Sequence, residues 1–148
     1  MTFDTQELEE FLQPYPIDVQ ELALAARLRL HEIAGPASDF IFDATSAVCA
    51  ALGYTDKWRE NFVNIAVYAQ HVTLVFNWGV HLNDPEGRLK GEGKQVRHLR
   101  LQGIETLHDP YVVDLVNQAA DNAARPAGPI VPIKFVKIYE GPNRRPSR

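Results

Sequence analysis

Two β-like runs follow each other with no room for a helix between them, and this feature most limits what the chain can fold into. The runs are 62–69 (FVNIAVYA) and 72–78 (VTLVFNW), separated by Gln70 and His71. The large apolar side chains of the second run share one face, at Val72, Leu74, Phe76 and Trp78. Such alternation is typical of a half-buried strand, and so short a connection joins antiparallel neighbours. The sequence therefore predicts a hairpin within an antiparallel sheet.

Helix signals stand on both sides of this hairpin. Asp4 is placed to open a short helix, and Asp18 is placed to cap a second helix that ends at Gly35. Asp109 followed by Pro110 is typical of the start of a last helix. Helices are therefore expected before and after the strands.

Further strands are predicted at 45–52 and 96–101, which gives about four strands in series. The prediction is an α+β fold, with an antiparallel sheet of about four strands packed against N-terminal and C-terminal helices. Residues 130–139 (IVPIKFVKIY) indicate an extra strand, and Pro132 confines it to an edge or a bulge. We therefore expect one domain over 1–126 and an extension over 127–148 that ends in disorder.

Composition limits the classes of protein that the chain can represent. Its 148 residues carry a net charge of -4 and a single cysteine, Cys49. One cysteine allows neither an internal disulfide nor a thiolate zinc cluster, and a negative net charge argues against general nucleic-acid affinity. The start of the chain lacks a signal-peptide pattern, and no apolar run reaches the ~18 residues of a membrane span. These observations predict a cytoplasmic protein with no membrane partner.

The hairpin and the glycine-rich loop after it carry a family resemblance. The pieces HVTLVFNWGVHL (71–82) and DPEGRLKGEGKQVRHLRL (84–101) resemble the YdhG-like domain-of-unknown-function family 1801. The similarity covers roughly residues 60–122 and is looser back to residue 17. The resemblance implies a compact α+β domain reminiscent of frataxin. Some members of the family are labelled iron chaperones on that basis, and no enzymatic activity is established for the family.

A cluster of cations in the same loop is a candidate anion site. It comprises Arg88, Lys90, Lys94 and Arg97, between glycines at 87, 91 and 93. The loop is not a nucleotide-binding P-loop, because Gln95 stands where a Ser or Thr would hold magnesium and a strand follows in place of a helix. The alternative is a structural loop whose glycines adopt positive φ.

The acidic start of the chain is a candidate metal site. Residues 1–26 carry six acidic residues and no Lys or Arg, and carboxylate oxygens are suitable iron ligands. Four of the six are explained as caps and helix-dipole partners, which leaves Glu9 and Glu10 as the candidate ligands. The five histidines are scattered without a metal-binding spacing, and no cofactor is indicated.

The sheet itself offers a candidate ligand pocket. Polar and amphipathic side chains on the two runs of the hairpin could line it, at Asn64, Tyr68, Asn77 and Trp78. The alternative is that the aromatic rings only pack in the core. Cys49 lies in an apolar run and is expected to be an inert thiol.

Three functions follow from these candidates. The first is a binding module for a small molecule or for iron, which is favoured over an enzyme. The second is an interaction protein that dimerises through the strand at 130–139. The third, and weakest, is anion or nucleic-acid contact through the basic strip 88–100.

Overall fold

The structure, a computed structural model, describes residues 4–140 and confirms the α+β class. The end predicted to be disordered, residues 141–148, lies outside these residues. The helices of the described part are α1 Gln6–Leu12, α2 Ile17–Ala34 and α3 Pro110–Asn122. The strands are β1 Ser38–Asp43, β2 Val48–Gly53, β3 Val63–Val67, β4 Val72–Phe76, β5 Arg97–Arg100 and β6 Lys134–Ile138.

All six strands form one sheet, in the order β5-β4-β3-β2-β1-β6. Neighbours from β1 to β5 are antiparallel, whereas β6 pairs with β1 in parallel. The predicted count of about four strands is therefore wrong, and the sheet is mixed. The hairpin of β3 and β4 is confirmed, and the extra strand predicted within 130–139 is present at the edge as β6.

The strand that sequence reasoning missed is β1. Only 45–52 was predicted as a strand in this region, but β1 and β2 form a hairpin closed by a hydrogen bond from Ala44 N to Ala47 O. Both strands lie near the centre of the sheet, where Phe40, Ile41, Ala50 and Ala51 are all buried. Because both faces of these strands are covered, they lack the alternation that marks a half-buried strand.

One face of the sheet carries the main core, and all three helices pack on it. Alternate residues of each central strand supply this core, such as Ile65 on β3 and Leu74 on β4, which face one another across the sheet. Ala23 and Leu30 of α2 and Leu115 of α3 cover them. The opposite face has no α-helix over it within the described residues. There Trp58, in a 3-10 helix over Trp58–Glu60, packs edge-on against Phe42.

The helix starts were predicted with mixed success. Asp109 caps α3 as predicted, because its side chain accepts a hydrogen bond from Tyr111 N at 3.0 Å. The predicted cap at Asp18 is wrong: α2 begins one residue earlier, at Ile17, with Pro16 in the cap position. None of the helices within 4–140 is long and apolar enough to cross a membrane.

A buried ion pair ties α2 to the sheet. Arg27 of α2 is 2% exposed and Asp39 of β1 is 3% exposed. Arg27 Nε donates a hydrogen bond to Asp39 Oδ1 at 3.1 Å, and Arg27 Nη2 donates one to Oδ2. His31 Nε2 lies 3.4 Å from the same carboxylate. These contacts fix the position of α2 over β1.

Candidate functional site

A cleft of about 840 Å³ opens at the end of the sheet where β4 stops and β3 begins. Its floor contains Phe62 and Phe76, and the C-terminal end of α3 forms one wall with Ala119 and Ala123. Trp78 forms part of another wall and is 51% exposed. A concave site of this size with an aromatic lining is typical of small-molecule sites. We name it the Trp78 cleft.

The position of Trp78 depends on a close approach of two backbone segments. Trp78 follows β4 and precedes a 3-10 helix, Gly79–His81. A Cβ atom on Gly79 would lie 2.4 Å from the Cβ of Arg97 on β5, so only glycine allows the two segments to touch. The Trp78 and His81 rings are stacked, with centroids 5.7 Å apart and planes 15° apart. The indole of Trp78 therefore has one ring contact, with the exposed His81, among the described residues.

An amide network supports the same end of the sheet. Asn77 Nδ2 donates to the backbone oxygen of Asn61 at 2.5 Å and to its side-chain oxygen at 2.6 Å. Asn64 Nδ2 donates to Asn77 Oδ1 at 3.4 Å. Asn61 itself lines the cleft. Asn64 and Asn77 thus support the cleft through Asn61.

Tyr68 lies away from these three residues. It follows the end of β3, at the hairpin, whereas Trp78 follows β4 at the opposite end of the sheet. Its ring is stacked on His71 with centroids 4.8 Å apart. Both line a smaller cavity of about 280 Å³ that also includes His98. The four residues predicted to share one pocket therefore divide between two ends of the sheet.

Arg88 is engaged in holding the start of α3. Its Nη1 donates to Asp109 Oδ2 at 2.9 Å, and its guanidinium lies 5.0 Å from the centre of the Tyr111 ring. The hydrogen bond from Arg88 is the main reason why the pKa of Asp109 lies below its usual value. Arg88 therefore has a structural role at this helix start.

The other cations of the loop are placed differently. Arg97 Nη1 donates to the backbone oxygens of Gly93 and Val96, at 2.6 and 2.8 Å. Lys90 and Lys94 are exposed, and neither ammonium forms an ion pair with any residue from 4 to 140. None of the four cations lines the Trp78 cleft. Within the strip, Lys90, Lys94 and Arg100 are therefore exposed, whereas Arg88 and Arg97 are half-buried and bonded to other parts of the chain.

The glycines of this loop show why the loop is irregular. Gly87 has φ of 63° and closes a turn in which its N–H donates to Asp84 O at 3.0 Å. Gly91 has φ of 128°. Both positions favour glycine, as expected for a structural loop.

The residues of the proposed acidic metal site do not converge. Glu9 and Glu10 are exposed on α1, and Glu10 accepts a hydrogen bond from Gln6 Nε2 at 3.1 Å. The neighbouring Glu7 pairs with Lys134 of β6. Across residues 4–140, no group of three or more His, Cys, Asp or Glu side chains is arranged to hold a metal ion. Glu9 and Glu10 therefore stay candidate ligands predicted from the sequence alone.

Several cleft residues were missed by sequence reasoning. Arg59 and Glu60 come from the 3-10 helix after β2, Asn61 directly follows it, and Asn122 comes from the last turn of α3. They lie up to 63 residues apart in the chain, so no local motif connects them. The one available signal was the Trp-Arg-Glu-Asn run at 58–61, whose polar residues come just before a buried strand.

Comparison of the chain with protein-family models, with curated proteins and with solved structures finds no match. The resemblance to the YdhG-like family therefore stays a prediction from the motifs quoted above.

Proposed function

We propose that this chain is a binding module that holds a small molecule in the Trp78 cleft. The observation that carries the proposal is a half-exposed tryptophan, stacked on His81, in the wall of a cleft of about 840 Å³. Leaving a large aromatic ring half in water forgoes the stabilisation that burial would give. A ligand that covers the ring recovers this stabilisation.

Two other cavities among the described residues are smaller. One of about 540 Å³ is open and lies between Tyr54 and the 125–133 segment. The cavity beside Tyr68 measures about 280 Å³. The Trp78 cleft combines an apolar floor with a few polar groups, which is the usual composition of a small-molecule site.

A thermal-shift screen with nucleosides, nucleotides and aromatic and aliphatic acids tests the proposal. A ligand at 100 times its Kd stabilises the folded state by about 2.7 kcal/mol, which raises the Tm by roughly 10 °C for a domain of this size. Trp78→Ala should abolish the shift. Leu28→Ala is the matched control, because Leu28 is similarly exposed at 53% but lies on α2.

Two results would contradict the proposal. In the first, no compound of the screen shifts the Tm of the wild-type chain. In the second, shifts occur but persist unchanged in Trp78→Ala, which would place the ligand elsewhere.

A second candidate function is dimerisation through the outer edge of β6. The opposite edge of the sheet is closed, because Lys90 and His98 exchange backbone hydrogen bonds of 2.8 and 2.9 Å beside β5. No described strand pairs with the outer edge of β6. Ile133 and Tyr139 bond to β1, so the alternating backbone groups of residues 134, 136 and 138 point outward. An open edge of this kind is a template for pairing with a second copy.

Light scattering after size-exclusion chromatography tests the dimer over a range of concentrations. Wild type should dimerise, and Ile138→Lys should be monomeric because it adds a charge beside the open edge. Ile138 is 62% exposed, and Ile17→Lys is the matched control since Ile17 is 67% exposed on α2. A wild-type monomer at every concentration would rule out this candidate.

A further inference from the structure

We infer that the ligand of the Trp78 cleft is a planar nitrogen heterocycle, such as a nucleobase, stacked on the indole. This inference rests on the proposed binding function and specifies its ligand. His81, which also lines the cleft, stacks on the indole with ring centroids 5.7 Å apart. Trp78 is 51% exposed, so part of the indole is accessible to a ligand. A flat aromatic surface favours flat ligands, which gain stacking energy with little loss of conformational freedom.

The wall formed by α3 leaves room for such a ring. The residues of α3 and its end that line the cleft include Ala119, Ala123 and Ala124, whose side chains are small. Among the described residues, the only ring stacked on Trp78 is that of His81. The space in front of the indole is therefore not filled by another aromatic ring of this part of the chain.

The polar groups of the cleft favour a heterocycle over a plain hydrocarbon ring. Glu60 supplies a carboxylate whose orientation is fixed, because its Oε1 accepts a hydrogen bond from Thr55 Oγ1 at 2.6 Å. Asn122 supplies an amide that makes no hydrogen bond within residues 4–140. An amide and a carboxylate together match the mixed donors and acceptors along the edge of a nucleobase.

The charges of the cleft favour a neutral ring system. Arg59 and Glu60 are adjacent in the chain and both line the cleft, so their charges offset one another. The cations of the strip 88–100 lie outside the lining. Recognition therefore rests on the ring and its edge, and a phosphate is not required. Nucleosides are accordingly the probes to use.

Tryptophan fluorescence gives a direct readout once Trp58 is replaced. The chain has two tryptophans, and Trp58 does not line the cleft. Trp58→Phe keeps an aromatic ring against Phe42 and leaves Trp78 as the single reporter. Adenosine, guanosine and riboflavin should quench its emission with saturation. Cyclohexanecarboxylate, which is not planar, should have no effect.

Two variants separate stacking from edge recognition. In the wild-type background, Trp78→Leu should weaken nucleoside binding ~10-fold to 100-fold, measured by calorimetry. Asn122→Ala should weaken nucleoside binding ~10-fold, because one hydrogen bond is lost. The same change should leave the binding of 2-naphthoate unaltered, since this planar acid has no ring nitrogen.

The outcomes distinguish this inference from the proposed function. Binding of cyclohexanecarboxylate or 2-naphthoate at the cleft without binding of any of the three heterocycles would overturn the inference and leave the binding function standing. Heterocycle binding that Trp78→Leu does not weaken would also overturn it. The binding function itself fails only when no compound of the wider thermal-shift screen binds at the cleft.

Discussion

The pair of Arg27 and Asp39 allows a sharp test of what holds α2 against the sheet. The two side chains are 2% and 3% exposed. Asp39→Asn preserves the shape of the side chain but removes its charge, so the guanidinium of Arg27 stays buried without the carboxylate. Removing one member of a buried pair costs about 3–5 kcal/mol. A domain is stable by only roughly 5–15 kcal/mol, so we expect the variant to lose a large part of its stability.

Glu32→Gln is the matched control, because it makes the same chemical change in an exposed pair. Glu32 Oε1 lies 3.8 Å from Arg29 Nη1, and the side chain of Glu32 is 56% exposed. We expect a loss below about 0.5 kcal/mol. Urea denaturation at pH 7 with linear extrapolation measures both changes. Equal, small losses in the two variants would refute the reasoning that the Arg27 charge depends on Asp39.

The same pair predicts a pH dependence. Burial acts to raise the pKa of Asp39, but hydrogen bonds from His31 and Arg27 and the guanidinium charge together bring it below the ordinary value of 3.8. A carboxyl group whose pKa is lowered on folding adds stability above its unfolded-state pKa, and this contribution disappears as the pH falls through the folded-state pKa. Wild type should therefore lose stability below about pH 4. Asp39→Asn should lose less over the same range in urea denaturation.

Three further changes have expected outcomes. Gly79→Ala places a carbon 2.4 Å from a side-chain carbon of β5 and should lower the free energy of unfolding by about 1–3 kcal/mol in urea denaturation. Gly93→Ala is the control, because a Cβ there has nothing within 4 Å, and it should lower the free energy of unfolding by less than about 0.5 kcal/mol. Burial raises the pKa of Cys49 to about 11, so a thiol reagent at pH 8 should react ~100-fold more slowly with the native than with the unfolded chain. Tyr111→Phe removes the hydroxyl that donates to Asp84, and should cost about 1 kcal/mol by urea denaturation.

The elements predicted best from the sequence are those with apolar side chains on one side and polar side chains on the other. In β4 the large apolar side chains of Val72, Leu74 and Phe76 lie on the helix-covered face, and the polar Thr73 lies on the other, so the hairpin was identified. Between residues 38 and 53 both faces of the strands are buried at several positions, and the pattern disappears. Parallel pairing of β6 with β1 could not be predicted, because it joins residues about 95 positions apart, as in Asp39 and Lys134.

The candidate site was predicted in part for a similar reason. Asn77 and Trp78 stand at the end of the second run of the predicted hairpin, so the sequence alone identified them as candidate pocket residues. The residues that complete the cleft come from the loop before β3 and from the end of α3. Asn61, for example, orders the amide network by accepting two hydrogen bonds from Asn77. Only the folded chain brings these segments together.

The glycine-rich connection between β4 and β5 positions the walls of the Trp78 cleft, although most residues of the connection do not line the cleft. Its turn is fixed to α3, because the backbone of Asn83 exchanges hydrogen bonds with the side chain of Gln118, and Glu86 N donates to the Tyr111 hydroxyl at 3.0 Å. Its first glycine, Gly79, lets the backbone after Trp78 touch β5. These contacts tie the tryptophan wall to the helix that forms the facing wall. The connection therefore helps to set the width of the cleft. Its turns and glycines have this structural role whether or not the loop binds an anion.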